Sequence, residues 1–179
     1  MTDWTQHRTE RLTLTTPTLD DVDAWHELHA DPRVWTHFPS GRATDRSESV
    51  AAVVAARDDW DRADLGYWVI RSAGDGAMVG VGGCRPVGDG DRWNLYYRFT
   101  PESQGNGYAA EVARAAVEAA NAVRPDWPVV AIMLEHNVAS WKVAERIGLQ
   151  RIATGPDEGN PDPTAVRFTY ADRPLDQSR

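Results

Sequence analysis

Gln104-Gly105-Asn106-Gly107-Tyr108-Ala109 is the stretch from which the rest of this chain can be read. It follows the aromatic, strand-like run Trp93 to Phe99 and opens an alanine-rich helical pattern that continues to about Val123. Two glycines separated by one residue let the backbone turn tightly and approach a ligand with no Cβ in the way. The first turn of the helix leaves about four amide N–H groups without intrahelical partners. Those donors, with the positive end of the helix dipole, suit an anion such as a phosphate. Strand, glycine loop and helix together predict a pyrophosphate cradle.

Upstream, Glu10 to Thr15 alternates as a first strand with Leu12 and Leu14 on one face. Thr18 or Asp20 caps a helix running to about Ala30, which Asp31-Pro32 stops. Arg33 to Arg42 reads as a loop or short helix, and a second helix spans about Thr44 to Arg62. Strands Gly66 to Arg71, Met78 to Arg85 and Arg92 to Phe99 form an antiparallel meander. Its hairpins turn at Gly74-Asp75-Gly76 and Gly88-Asp89-Gly90. Downstream, Pro128 to Glu135 is a buried strand. Asn137 caps a helix that ends at Gly148, and Leu149 to Thr154 pairs with Thr164 to Tyr170 around a Gly/Pro/Asp-rich loop. The expectation is one α/β domain over residues 1–179, with a core from about 8 to 171 and a frayed polar tail from 172. Its mostly antiparallel sheet has six to seven strands, flanked by four helices.

The length of 179 residues suits one domain with a substantial core. A net charge of −8 argues against general affinity for nucleic acid or anionic membranes. It would favour a cationic substrate such as an amine, though solubility alone explains many acidic surfaces. Cys84 is the single cysteine, so no intrachain disulfide or cysteine-rich metal site forms, and its apolar setting suggests a buried structural thiol. The start has no basic region followed by an apolar run, and no apolar stretch approaches about 18 residues. A cytoplasmic location with no membrane contact is the default expectation. The run Gly80-Val81-Gly82-Gly83 is no dinucleotide fingerprint, because Arg85 stands where the last glycine belongs.

The order of parts carries more than any single motif. Glu10-Arg11-Leu12, then Pro101 through Glu111, then Asn137-Val138-Ala139-Ser140 and Glu145-Arg146-Ile147-Gly148-Leu149 follow one another at a specific spacing. With these residues the chain resembles the GNAT superfamily of acetyl-CoA-dependent N-acetyltransferases from about Arg8 to Tyr170, and most of all the branch of ribosomal-protein N-terminal acetyltransferases. The resemblance implies a GNAT-like fold splayed between the fourth and fifth strands. It also implies acetyl-CoA as co-substrate, no metal, and an amine acceptor that is either a protein N-terminus or a small molecule. Dimers are common in that branch, so a homodimer is possible.

By the same resemblance the amides of Gln104, Gly105, Asn106, Gly107, Tyr108 and Ala109 hold the pyrophosphate of coenzyme A. Phe99 and Thr100 lie beside the pantetheine arm, opposite Met133 to Glu135. Asn137 serves as N-cap, as a pantetheine contact, or as both. Many members place a tyrosine seven residues after this asparagine to protonate the departing thiolate, and here that position is Ala144. Ser140 becomes the candidate partner of the sulfur, as proton donor or only as hydrogen-bond donor, or else is a plain helix-surface residue. Glu135 is a candidate general base, beside His136 and the histidines His26, His29 and His37. Trp35, Phe38 and Tyr96 would line the acceptor site, where Asp157 and Glu158 could attract an ammonium group or belong to a mobile polar loop. Lys142 and Arg146 are candidates for the 3′-phosphate or for a solvated surface. Glu102 stands where the family prefers Gln or Arg, and is expected to point to solvent. The missing tyrosine and Glu102 leave a second reading open: a non-catalytic acyl-CoA sensor or interaction module.

Overall fold

The computed structural model describes residues 2–175. In chain order these form β1 (Gln6–Arg8), β2 (Leu12–Thr15), α1 (Val22–Ala30), α2 (Arg46–Ala63), β3 (Tyr67–Ser72), β4 (Met78–Val87), β5 (Arg92–Phe99), α3 (Tyr108–Val123), β6 (Val129–Leu134), α4 (Val138–Arg146), β7 (Gln150–Pro156) and β8 (Val166–Ala171). The strands make one eight-stranded sheet in the order β1-β2-β3-β4-β5-β6-β8-β7. Only β5 and β6 run parallel; every other neighbouring pair is antiparallel. The eighth strand, beyond the expected six to seven, is β1. Its three residues are too few to show an alternation. The expected strand from Glu10 begins instead at Leu12, because Thr9 N–H donates to the Leu12 carbonyl in a tight turn at 3.0 Å.

Alternation along the strands sorts the apolar residues onto two faces. Trp68, Ile70, Leu12, Leu14, Trp93 and Cys84 pack with Val112, Ala113 and Ala116 of α3 and with Ala144 of α4. Ala113, Ala116, Ala119 and Ala120 are fully buried. With methyl side chains at these positions, α3 lies close on the sheet. Val69 and Val81 face the other way and meet Val22, Trp25 and Leu28 of α1 and Val53 and Ala56 of α2. Burial pushes the Cys84 thiol pKa up, which leaves it an inert core group. Asp45 caps α2 by accepting from Ser47 N–H at 2.7 Å, and Glu48 accepts from Asp45 N–H at 3.0 Å, a reciprocal capping box.

The tail is less frayed than expected. Asp172 exchanges two hydrogen bonds with the Val129 backbone, at 2.9 and 3.1 Å, and Arg173 Nη1 donates to the Pro125 carbonyl at 2.6 Å. The expected tail's residues 176–179 lie outside the described residues. Among the described residues no helix is long and apolar enough to cross a membrane.

Candidate active site

β5 and β6 pair only at their first residues, Trp93 with Val129 and Asn94 with Val130. Beyond that β5 stays with β4 as far as Phe99, while β6 stays with β8 as far as Leu134. Each is held by its other neighbour, so the facing edges of residues 95–99 and 131–134 part. This is the splay expected between the fourth and fifth strands; β1 shifts the count to fifth and sixth. A cleft of about 810 Å³ fills the gap, lined by Leu95, Tyr97 and Phe99 on one side and Ala131, Met133 and Leu134 on the other.

The glycine loop stands at the open end of the splay. Gly105 and Gly107 have φ of 79° and 81°, in the left-handed region. A Cβ on Gly105 would meet nothing, and on Gly107 it would lie 3.6 Å from Arg11 Nη2, so backbone conformation rather than space demands glycine. α3 has no side-chain cap, and its first backbone bond is Glu111 N–H to the Gly107 carbonyl at 3.3 Å. Among the described residues no group accepts from the amides of residues 105–110. The loop is tied from behind. Gln104 Nε2 donates to the Phe99 carbonyl at 3.2 Å, and Asn106 Nδ2 to the Ser103 carbonyl at 3.2 Å.

The Glu10-Arg11-Leu12 stretch is the outer tie. Arg11 donates from Nη1 to the Asn106 carbonyl at 2.8 Å and from Nε to Glu111 at 2.8 Å, with its guanidinium 4.8 Å from the Tyr108 ring centre. Glu111 also accepts from Thr9 Oγ1 at 2.6 Å and from Arg11 N–H at 2.9 Å. Burial opposes ionisation of Glu111, but the bonds from Thr9 and Arg11 outweigh it and hold its pKa below the ordinary 4.5. Glu102 does not line the cleft. Its exposed carboxylate pairs with Arg33 Nη1 at 2.9 Å.

At the far side of the cleft, Asn137 Oδ1 accepts from Ser140 N–H at 3.4 Å and caps α4, and both residues line the cavity. Where the resemblance led one to look for a tyrosine, Ala144 is fully buried. A different tyrosine arrives from β5: Tyr97 Oη donates to the Ser140 carbonyl at 3.0 Å. Burial raises the Tyr97 pKa, against the smaller effect of that bond. Glu135, the expected base, is exposed and outside the cleft lining. β6 ends at Leu134, and the next backbone unit is held by Glu135 N–H to Val166 O at 2.8 Å and Trp141 Nε1 to Glu135 O at 3.1 Å. Thr100 and Asn106 also lie outside the lining. Thr100 Oγ1 donates to Ser103 Oγ at 2.8 Å.

The wall toward α1 and α2 carries Trp35, Phe38, Tyr96 and Arg98. Arg98 is buried, stacks 3.4 Å from the Trp35 ring centre, donates from Nη1 to the Val34 carbonyl at 2.6 Å and from Nε to Tyr96 Oη at 2.7 Å. His29 Nδ1 bonds to the Trp25 carbonyl at 2.9 Å and must donate there, which leaves Nε2 as the acceptor 3.4 Å from Tyr96 Oη. Burial first, and Arg98 and His26 less, pull the His29 pKa down to about 4. His26 instead bonds Ser49 at 3.0 Å and stays off the cleft. His136 Nε2 donates to the His37 carbonyl at 2.8 Å, joining the segment before α4 to the segment after α1. Asp157 lines the cleft 3.6 Å from Arg167, whereas Glu158 does not line it. Arg146 lines it and Lys142 does not. Arg98 and Tyr97 escaped sequence reasoning, because a position on a strand that borders the splay does not say that Tyr97 meets Ser140 and Arg98 meets Trp35.

The comparisons agree with this geometry. Residues 11–150 match the family model described as the acetyltransferase (GNAT) domain. An acetyltransferase from Agrobacterium tumefaciens superposes with a TM-score of 0.74 at 27% identity, over 92% of this chain and 93% of that one. RimL, a ribosomal L7/L12 alpha-N-protein acetyltransferase solved in complex with coenzyme A, gives 0.75 at 22% identity, over 94% and 96%. The Salmonella typhimurium acetyl transferase that modifies the N-terminal serine of ribosomal subunit protein L7/L12 gives 0.76 at 20%, over 94% and 97%. The last two are too distant in sequence to indicate more than a shared fold. With the family model spanning most of its length, the chain belongs to the GNAT acetyltransferase family.

Proposed function

We propose that the chain transfers the acetyl group of acetyl-CoA to a primary amine by direct attack. The observation that carries this reading is the row of amides at residues 105–110, without acceptors among the described residues and set at the mouth of the β5/β6 splay. Such a row, at a helix N-terminus, suits a pyrophosphate. The backbone of Gln104 through Ala109 would hold that group. The parted edges at Phe99 and Met133, with Asn137, would pair the amides of the pantetheine arm in the way a peptide adds to a sheet edge. Coenzyme A in the solved RimL complex supports the same co-substrate. Acetyl-CoA supplies the activated acyl group, and the protein supplies its position and the proton paths.

The amine nitrogen forms a bond to the acyl carbon, the carbon–sulfur bond breaks, nitrogen gives up a proton and sulfur gains one. Tyr97 and Ser140 border the cleft where α4 meets β5. A phenol, even with its pKa raised by burial as at Tyr97, is a better proton donor to a thiolate than a serine hydroxyl. We assign the donor role to Tyr97 and a hydrogen bond to Ser140. On the amine side, Tyr96 Oη and His29 Nε2 form the chain that can pass a proton inward. We assign no proton transfer to Glu135, which lies outside the cleft lining. Trp35, Phe38 and Tyr96 would receive the acceptor.

Thiol release from acetyl-CoA over a panel of amines, amino acids and peptides tests the reading. Tyr97→Phe should lower kcat by about 10²-fold with little change in KM for acetyl-CoA. Ser140→Ala should lower it by less. Tight coenzyme A binding without turnover of any amine would refute transfer and favour the acyl-CoA-binding module.

A further inference from the structure

A second cavity, of about 480 Å³, lies on the α1/α2 face of the sheet and shares Trp35 and Tyr96 with the cleft. Its floor is a row in register across three strands: Tyr67 on β3 and Tyr96 on β5 both pair with Gly83 on β4. The two tyrosine rings meet across that glycine with centres 5.1 Å apart. One step further along the sheet, Arg85 pairs with Asn94. Arg85 Nε donates to Tyr67 Oη at 3.1 Å and Asn94 Nδ2 donates to it at 3.2 Å.

These contacts leave hydrogen-bond donors without acceptors. The Tyr67 oxygen takes two donors, so its own proton remains to be given. Burial raises its pKa, so the phenol keeps that proton. Arg85 Nη1 and Nη2 have no acceptor among the described residues, and the guanidinium sits 5.7 Å from the Tyr67 ring centre. The two carboxylates that line the cavity are engaged elsewhere. Asp59 pairs with Arg62 at 2.6 Å, and Glu48 accepts from Thr44 and Asp45 at the start of α2. Arg85 and Asn94 therefore converge on Tyr67 Oη at the edge of the cavity, where the exposed Arg85 guanidinium keeps Nη1 and Nη2, and Tyr67 its proton, for a ligand. A guanidinium fork matches a carboxylate in shape and charge.

From the Arg85/Asn94 pair to Tyr96 is two residues along β5, about 7 Å by the strand rise. One small molecule carrying a carboxylate and a primary amine spans that distance when the hydrogen bonds at its two ends are included. Its body would rest on Trp25 and Trp35, and the cavity falls within the size range of small-molecule sites. We infer that the acceptor is a free amino acid, with its carboxylate on Arg85, Tyr67 and Asn94 and its amine at Tyr96, facing the splay. A protein N-terminus presents a neutral amide where this site presents a cation. The inference rests on the amine-acetyltransferase reading and narrows its substrate.

The test pairs turnover with direct binding. Free amino acids with apolar or aromatic side chains, their amides and methyl esters, and tripeptides are compared as acceptors, and the free acids are titrated calorimetrically into the coenzyme A-loaded protein. The expected result is that free acids are preferred over their amides by 10-fold or more in kcat/KM. Arg85→Gln should raise KM for the free acid at least 10-fold, remove the preference over the amide, and leave KM for acetyl-CoA unchanged. Tyr67→Phe should show a smaller change of the same kind. Peptides acetylated as well as, or better than, free acids would overturn the inference while leaving amine acetylation intact. Free acids that bind the loaded protein in an Arg85-dependent way, but are never acetylated, would uphold recognition and refute transfer. Free acids that neither bind nor react would overturn the inference outright.

Discussion

Removing the Glu111 carboxylate tests whether the Glu10-Arg11-Leu12 turn acts on the glycine loop. Glu111 is 13% exposed at its side chain and takes bonds from Thr9 Oγ1 and Arg11 N–H on the turn, at 2.6 and 2.9 Å. Hydrogen bonds to a charged group contribute about 1.5–3 kcal/mol each, less when they share one acceptor, and the exposed Arg11 guanidinium adds little to stability. Glu111→Ala should therefore destabilise the fold by about 2 kcal/mol, and Glu111→Gln, which keeps an acceptor, by about half of that. The second consequence is local. Without Glu111, Arg11 loses its hold at Nε, and the 2.8 Å bond from Nη1 to the Asn106 carbonyl goes with it. The loop must then be ordered by its ligand, at about 1 kcal/mol for a residue fixed on binding, which is about a 5-fold loss of affinity. Calorimetry should show that loss for coenzyme A and not for S-acetylpantetheine, which lacks the pyrophosphate. Equal losses for the two ligands, or a stability loss with unchanged coenzyme A affinity, would refute the argument. The pH dependence supplies a further check. Because Glu111 has its folded pKa below 4.5, its contribution is complete above that pH and disappears as the pH falls through the folded value. Glu111→Gln should flatten the acid limb of stability in that window.

Gly107→Ala places a Cβ at a φ of 81°, and should cost about 1–2 kcal/mol in stability, read by urea denaturation, even though the nearest atom is 3.6 Å away. A neutral outcome would mean that the loop relaxes out of the left-handed region. Glu102→Gln removes a negative charge near the loop and releases Nη1 of Arg33, an exposed cleft residue whose guanidinium stays paired with Asp31 at 2.6 Å. Stability should not change measurably, coenzyme A should bind about 2–5-fold more tightly at low salt, and the gain should vanish at about 1 M salt where the Debye length is about 3 Å. His29 has its folded pKa drawn from 6.5 to about 4 by burial, so protonation opposes folding. The His29 contribution should be full above pH 6.5 and fall by about 2–3 kcal/mol toward pH 4, and because burial draws His37 to about 4 as well, His29→Asn should remove its own share of the slope and leave that of His37.

Much of the fold was legible in local patterns. The run around Leu95 alternates, the run around Trp68 is apolar on both faces, the alanines of α3 recur at helical spacing, and Asn137 and Gly148 bracket α4, because strand pleat, helix turn and cap act over a few residues. β1 was invisible for the same reason: three residues carry no period, and it exists because Gln6 to Arg8 finds β2. At the site, the glycine loop was readable because φ near 80° singles out glycine. Glu135 lies exposed and outside the cleft lining, which its position at the end of a strand did not foretell, because that position does not say on which side the chain leaves the sheet. Its backbone contacts with Val166 and Trp141 settle that.

The sequence alone therefore determined the order of elements, the mostly antiparallel sheet and a glycine loop at the start of α3, all consequences of short-range geometry. Only the tertiary structure decided what surrounds the cleft. Arg11 reaches Glu111 across 100 residues, Tyr97 reaches Ser140 across 43, and Tyr96 reaches His29 across 67. No local propensity encodes such meetings. They follow from which strands pair, and from β5 and β6 being held apart by their outer neighbours.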